Sequence, residues 1–570
     1  MTPSQMPRWL AWLSLVVVAS GVVMLMVGAW VSGVTWDEKT HVLMLQTFLD
    51  QGWNVTPDAL VDGNPDPNYI WGVYVYGPVA ELVAHGVTAA MGLESLGTLE
   101  YTPLAYAGRH IAIAIMATVG IAAAGLTVRV ITRSWRFAAL ASAVLASVPL
   151  WVGHGMFNIK DLPVATGVTI ASLGIVVLVM GGIGKRSNLW GALALTIGAI
   201  LAAGTRAAIG VPIAASLVIA ALTLFAVLRF TNSSWRLAAR TATELLAWGV
   251  GALVAAYVAL TAIYPKAFWN PFELAWQAVV VSGRFPFDEP VLTSGTWMEQ
   301  PPPWTYLPLW FAAQLPLLVL AGATAFIALW VIGFLGVRSQ LIPGMNPRTL
   351  AATSVLLAQM LLVPAVAIAG QSTIYNGSRQ FLFVIHADAI VTTISIWIAA
   401  GAVDGIGKQR WVSKVLWGAV VLGLVAPVLT QVRLFPYNYV ALNAVASLQP
   451  VEGHWPTDYW RASSRELMLR LPAEGVESCA YEQARAGEPH ACSQEPMFAP
   501  FLDSRGADAK AGVLAPGELW VVRENQGRTD VPPQCRIHDE ITRPLWGQRI
   551  IIGQIMACSS DVNSQELEGP

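Results

Sequence analysis

Charge is what this sequence most lacks. Asp, Glu, Lys and Arg make up 12% of its 570 residues, against 55% hydrophobic, and a soluble chain carries about twice that charged fraction. Acidic residues are scarce between positions 100 and 260 and frequent after 450, so the net charge of -2 averages an apolar body with a water-soluble tail. Long basic tracts and zinc-finger spacings are missing, which argues against nucleic acid as a partner. The apolar body also lacks cysteine: Cys479, Cys492, Cys535 and Cys558 all lie in the tail. An even set confined to a polar region points to two disulfides in an oxidising compartment, with three connectivities open. The first apolar run, about 11–31, exceeds a signal-peptide core and ends in no clean cleavage site, so it reads as a retained span.

What is present is a series of long apolar runs. A span needs about 20 predominantly apolar residues, and that test gives about eleven: 9–31, 107–128, 136–153, 161–181, 188–204, 208–228, 242–263, 305–333, 349–369, 383–401 and 411–431. The apolar stretch 79–97 holds Glu81 and His85 and reads as an interfacial helix. With the N-terminus inside, the cytoplasmic turns hold Arg8; Arg129, Arg133 and Arg136; Lys185 and Arg186; Arg229, Arg236 and Arg240; Arg338 and Arg348; and Lys408, Arg410 and Lys414. That bias is the positive-inside pattern. It places a first loop (32–106), a second large loop (264–304) and the tail on the external side, where disulfides form. The expected fold is thus an α-helical polytopic membrane protein, a transmembrane module over 1–431 with a small extracytoplasmic α/β domain over 432–570. In that domain 519–522 and 550–553 read as strands and 463–471 as a helix.

Polar residues collect at the expected external ends. Thr35-Trp36-Asp37-Glu38-Lys39-Thr40-His41 follows the first span, and capping by Asp37 explains neither Glu38 nor His41. His154, Asn158, Lys160 and Asp161 share one short turn, where Asp161 is a candidate cap with Pro163 in the first turn. Arg206 ends another span; Tyr375-Asn376-Gly377-Ser378-Arg379-Gln380 enters the one that reaches His386. Further aromatic and proline-rich stretches run from Tyr69 to Pro78 (including Tyr76), through Tyr264-Pro265 and Trp269-Asn270-Pro271 to Arg284, from Pro301 through Trp304 to Tyr306, and over 435–443 and 457–460. An aromatic belt at the headgroup layer accounts for many of these rings. The ionisable residues are costly near a membrane and point to function. Carboxylates among arginines and a lysine suit chemistry on a lipid phosphate.

The ordered set resembles the GT-C glycosyltransferases that use polyprenyl- or dolichyl-phosphate sugars, such as the protein O-mannosyltransferases and the lipid A aminoarabinose transferases. Asp37-Glu38 matches their first-loop carboxylate pair, Asn158 to Pro163 a second-loop motif, and the Arg206, Trp269-Asn270-Pro271, Pro303-to-Tyr306 and Tyr375-to-Phe383 segments further family features. The resemblance covers about 30–460. It implies a GT-C fold and an inverting transfer of a sugar such as mannose or arabinose to an envelope glycan, lipid or protein, in a bacterial plasma membrane. It implies Asp37 as general base, with Glu38, Lys160 and Asp161 beside it. Lys160, Arg206 and Arg379, and more weakly Arg284, are candidates for the donor phosphate, and His41, His154, Asn158, Tyr76, Trp304, Tyr306 and Tyr375 for the substrate groove. Some relatives use a divalent cation, for which Asp37, His41, His154 and Asp161 are the candidate ligands; no other cofactor is implied. Gln380 and His386 depart from the family pattern, which has histidine and proline there. A flippase of polyprenyl-linked substrates or a non-catalytic envelope scaffold is the rival reading.

Overall fold

In lipid, backbone amides and carbonyls must bond internally, so each long apolar run is expected to close as a helix. The computed structural model describes residues 6–51, 76–181, 186–263, 271–285, 287–339, 341–342, 344–406, 410–476, 478–481, 490–494, 497–503, 519–525, 527 and 531–559. The aromatic run Tyr69 to Val75, the segment Tyr264 to Asn270, Lys185 and Lys408 lie outside the described residues.

The helices are α1 (Arg8–Val31), α2 (Glu38–Gln51), α3 (Val79–Ala90), α4 (Pro103–Thr132), α5 (Trp135–Ala146), α6 (Pro149–His154), α7 (Asp161–Gly181), α8 (Ser187–Ala203), α9 (Gly210–Phe230) and α10 (Trp235–Thr261). After them come α11 (Pro271–Gly283), α12 (Tyr306–Gln314), α13 (Leu317–Leu335), α14 (Pro347–Leu357), α15 (Val363–Ala369), α16 (Leu382–Ile406), α17 (Arg410–Leu434), α18 (Ser464–Arg470) and α19 (Ala499–Asp503). Among the described residues, nine helical stretches are long and apolar enough to cross a membrane. This corrects the expected eleven. The 136–153 run breaks before Pro149 into α5 and α6, of 12 and 6 residues, because proline cannot donate within a helix interior. The 188–204 run forms the 17-residue α8, which at 1.5 Å per residue falls short of a hydrocarbon core of about 30 Å. Pro316 likewise divides 305–333 into α12 and α13. The 79–97 stretch holds a 12-residue helix, α3, also too short to cross.

Helices α7 and α8 pack most closely because glycines face one another. A Cβ on Gly198 would lie 2.4 Å from the Ala171 amide nitrogen, and one on Gly174 2.5 Å from that of Leu195. Small residues let membrane helices meet backbone to backbone. Gly198→Leu is therefore expected to lower the thermal midpoint of the purified protein sharply, whereas Gly251→Ala, with open space at that position, leaves it unchanged or raises it. Equal midpoints would show that the close approach contributes nothing.

Basic side chains tie the chain at one end of the bundle. Arg136 donates to the Met6 carbonyl (2.6 Å), Arg348 to that of Met180 (3.3 Å), and Arg338 to that of Phe230. The chain after α17 packs on the other end. There the Gly33 amide donates to the Ala462 carbonyl (3.0 Å) and Ser464 Oγ to that of Val34 (2.9 Å), and the Arg461 guanidinium lies 3.2 Å from the Trp36 ring centroid. β1 (Val291–Thr293) pairs with β2 (Thr296–Met298) as a hairpin. The C-terminal region carries β3 (Cys479–Tyr481), β4 (His490–Ala491), β5 (Leu519–Glu524), β6 (Cys535–Leu545) and β7 (Gln548–Cys558), in the order β4-β3-β5-β7-β6 with β3 and β5 parallel. Disulfides join Cys479 to Cys492 and Cys535 to Cys558, selecting one of the three open connectivities.

Candidate functional site

The turn after α1 is built like a capping box. Glu38 Oε2 accepts from the Thr35 amide (2.5 Å) and hydroxyl (2.9 Å), and its Oε1 meets His110 Nε2 on α4 (2.6 Å). Both Glu38 oxygens are thus held inside the protein, as a capping glutamate's are. The same turn leaves Asp37 outward, with its side chain 31% exposed, and in contact with Lys160 Nζ at 2.7 Å. The adjacent carboxylates have opposite fates, one structural and one accessible.

The turn into α7 is held by Asn158 rather than by Asp161. Asn158 Oδ1 accepts from the Lys160 amide (3.2 Å) and the Asp161 amide (2.9 Å), so the expected capping role passes to it. Its Nδ2 donates to Asp161 Oδ2 and to His154 Nδ1, both at 3.1 Å. Tyr459 donates its hydroxyl proton to the Tyr439 carbonyl (3.1 Å), so His154 Nε2 donates to Tyr459 (3.3 Å). His154 therefore sits with both ring nitrogens engaged, and the chain of bonds orients Asp161.

Asp161 receives Arg379 Nη1 at 3.0 Å and faces Arg206 Nη1 at 3.8 Å. The Tyr76 ring lies under Lys160 (5.0 Å) and Arg206 (5.6 Å), and the Tyr375 ring under Arg379 (4.9 Å). Trp460 completes the wall, 3.7 Å from the Arg379 guanidinium and 5.3 Å from Lys160 Nζ. Three cations thus meet two carboxylates, an excess of one positive charge. Lys160, Asp161 and Arg379 are buried, so Asp37 is the most open member of the cluster. Burial alone would raise the Asp37 carboxyl, but the Lys160 and Arg379 charges and the Lys160 hydrogen bond hold it below the ordinary carboxylate range. Burial opposes the Lys160 charge, yet Asp37, acting together with Tyr76 and Tyr375, more than offsets it and the ammonium is retained.

Other expected residues play supporting parts or lie elsewhere. The Tyr306 hydroxyl accepts from the Gly377 amide (3.1 Å), and Gln314 Oε1 accepts from Ser378 N (3.2 Å) and Oγ (2.6 Å), which fixes the loop bearing Arg379. His41 packs its ring on Tyr76 (5.3 Å between centroids) and meets Glu81 at 3.5 Å. Trp304 is 70% exposed, and Arg284, also exposed at the end of α11, stands apart from the ion pairs; neither joins the groove. The four candidate metal ligands do not converge: Asp37 is held by Lys160, Asp161 by two arginines, His41 by Glu81, and His154 by Asn158 and Tyr459. Among the described residues no three His, Cys, Asp or Glu side chains are placed to hold an ion. The residues do not fit a divalent cation.

Behind the turn lies a polar group that periodicity did not reveal. Arg109 bridges Glu81 (3.0 Å) and Glu94 (2.6 Å), and Glu94 meets His85 Nδ1 at 2.5 Å. The signal was available: an arginine near the start of a 30-residue helix with a single further charge, Arg129. Burial pushes the Glu81 carboxyl up to about 7 despite Arg109. An unfolded glutamate ionises near 4.5 while the folded one keeps its proton to about 7, so the folded state binds more protons in that window and stability falls as pH rises through it. The thermal midpoint is therefore expected to drop between pH 5 and pH 8, and Glu81→Gln to flatten that slope. An unchanged slope in the variant would assign the effect to another group.

These features define a polytopic helical membrane protein with a cationic, carboxylate-bearing centre at the bundle end covered by its C-terminal region. No family model matches the chain, and no curated protein does. Solved structures similar to it include ArnT from Cupriavidus metallidurans bound to undecaprenyl phosphate, at 14% identity over 98% of this chain and 99% of that one, with a TM-score of 0.46. Another is the archaeal oligosaccharyltransferase AglB from Archaeoglobus fulgidus, in complex with an inhibitory peptide and a dolichol-phosphate. It is 14% identical over 74% of this chain and 55% of that chain, also with a TM-score of 0.46.

Proposed function

We propose that this protein is an inverting glycosyltransferase that moves a sugar from a polyprenyl-phosphate donor to an acceptor hydroxyl at the external face of a bacterial plasma membrane. The observation that carries this reading is the pairing of one accessible carboxylate, Asp37, with a cationic wall of buried Lys160 and Arg379 and half-buried Arg206. The motif resemblance supports it. The basic residues at the opposite bundle end support a cytoplasmic N-terminus, and the disulfides support an external C-terminal region.

In this reading the acceptor oxygen attacks the anomeric carbon while its proton passes to an Asp37 oxygen. The bond from the anomeric carbon to the phosphate oxygen breaks on the opposite face, and its electron pair leaves with the lipid phosphate. A base must reach the proton it takes, at about 2.6–3.2 Å, and Asp37 is the open carboxylate. An ammonium has three donors, so Lys160 can hold Asp37 with one and meet the phosphate with another. Arg379 and Arg206 face the same charge, and preorganised donors act where negative charge develops. Asp161, Asn158 and His154 orient the arginines, and Glu38 shapes the turn that presents Asp37.

Lipid co-purified with the protein tests this directly. Mass spectrometry is expected to find a polyprenyl phosphate or its glycosylated form, retained by the wild type and depleted in Arg379→Met. Only bulk phospholipid in both preparations would contradict the donor class.

A further inference from the structure

Next to the charged centre, beyond the Tyr375 ring, lies a small cavity that the proposed chemistry leaves unused. Its volume is about 40 Å³, and its lining includes Phe287, Glu289, Trp297, Trp310, Asn376 and Tyr459. One water needs about 10–15 Å³, so there is room for roughly three water-sized groups and none for a lipid chain.

The cavity shares walls with the ion-pair cluster. Phe287 stacks on Tyr375 at 4.0 Å and 14°, and Arg379 lies 4.9 Å from the same Tyr375 ring. Tyr459 lines the cavity, and its neighbour Trp460 is the ring under Arg379. The β1–β2 hairpin supplies Trp297, and Trp310 is fixed by its Nε1 donating to Thr293 Oγ1 (3.1 Å) and by packing on Trp455 at 4.7 Å. A rigid aromatic frame therefore surrounds a polar pair, Glu289 and Asn376.

Asn376 occupies the left-handed region at φ 56°, and its amide makes no hydrogen bond among the described residues. An amide supplies two donors and an acceptor, and a carboxylate accepts. Aromatic walls with a few placed polar groups are the makeup of a small-ligand site. Hydroxyl groups match the polar pair, and the C–H face of a sugar ring matches an indole.

We propose that this cavity is a subsite for the hydroxyl-bearing edge of a saccharide acceptor, with Asn376 and Glu289 binding its hydroxyls and Trp297 at the rim against its ring. The assignment to the acceptor rests on the glycosyltransferase reading; the assignment to a saccharide rests on the cavity. Its place one ring away from Arg379 puts the bound edge beyond the reacting hydroxyl, where it selects among acceptors.

The test uses the full chain in lipid nanodiscs, free of glycoside detergent. It is titrated with methyl α-mannopyranoside and methyl α-arabinofuranoside and read by tryptophan fluorescence. A saturable change is expected for at least one glycoside. Asn376→Gly keeps the left-handed turn without steric cost, and Glu289→Gln keeps the shape; each is expected to weaken binding about three- to tenfold, the range for one lost hydrogen bond. In a transfer assay both variants raise the acceptor KM by more than they lower kcat. The proposal is overturned if neither glycoside binds, if both variants bind as the wild type does, or if only a sugar-free serine peptide gives the response. Loss of glycoside binding in the variants of a protein that transfers no sugar would keep the subsite and remove the transferase reading. Loss of transfer in Asp37→Asn, with wild-type binding and KM in both cavity variants, would do the reverse.

Discussion

Asp37→Asn is expected to lower kcat about a hundred- to ten-thousandfold, the usual contribution of a general base, while changing donor affinity only a few fold. The asparagine keeps the shape and loses the proton-accepting charge. It also leaves the buried Lys160 without the carboxylate that meets it at 2.7 Å, so some stability is lost as well. Lys160 keeps the Tyr76 and Trp460 rings beside it, which holds the ammonium near its place. A base role and a merely structural one are separated by comparing the variant with Lys160→Met. Both break the ion pair, but Lys160→Met is expected to raise the donor KM and Asp37→Asn to lower kcat. Single-turnover transfer with saturating donor reads the difference. Wild-type turnover in Asp37→Asn would remove the base assignment.

The second large effect concerns the buried pair of Arg379 and Asp161, in contact at 3.0 Å with both side chains under 5% exposed. Removing one partner of a buried pair costs about 3–5 kcal/mol, because the other charge is left uncompensated. Arg379→Met is therefore expected to lower the thermal midpoint strongly and abolish transfer. Arg206, 3.8 Å from Asp161, offsets part of that cost. Adding Asp161→Asn to Arg379→Met removes the stranded carboxylate and is expected to recover much of the stability. It is expected to restore no activity, since the cation assigned to the phosphate in the proposed reaction is still missing. Activity returning together with stability would make the pair structural alone.

How much of this was legible in the sequence differs from residue to residue. Apolar runs of about 20 residues announce helices because lipid offers the backbone no partner. Proline positions and run length decide which are continuous: Pro149 and Pro316 interrupt apolar runs, and the 187–203 stretch is too short to cross. Asp37, Lys160, Asp161, Arg206 and Arg379 were recognisable as ionisable residues at span ends, and those five meet in the structure. Their pairing was not legible, because it joins positions up to 218 apart. Glu38 and His154 looked like site residues because they neighbour the centre in sequence. Their hydrogen bonds, to Thr35 and His110 for one and to Asn158 and Tyr459 for the other, point them inward. Trp460 belongs to a segment recognised as polar and aromatic, but only the packing of the C-terminal region on the bundle brings it over Lys160 and Arg379.

The central claim is that Asp37 and its cationic wall break a lipid-phosphate–sugar bond. The direct measurement is the fate of radiolabelled polyprenyl-phosphate mannose and arabinose in proteoliposomes containing the purified protein, with anomeric configuration read by NMR. The expected result is free polyprenyl phosphate together with a glycosylated acceptor of inverted configuration, from wild type and not from Asp37→Asn. Label crossing the bilayer with the sugar still attached to its lipid would contradict the account.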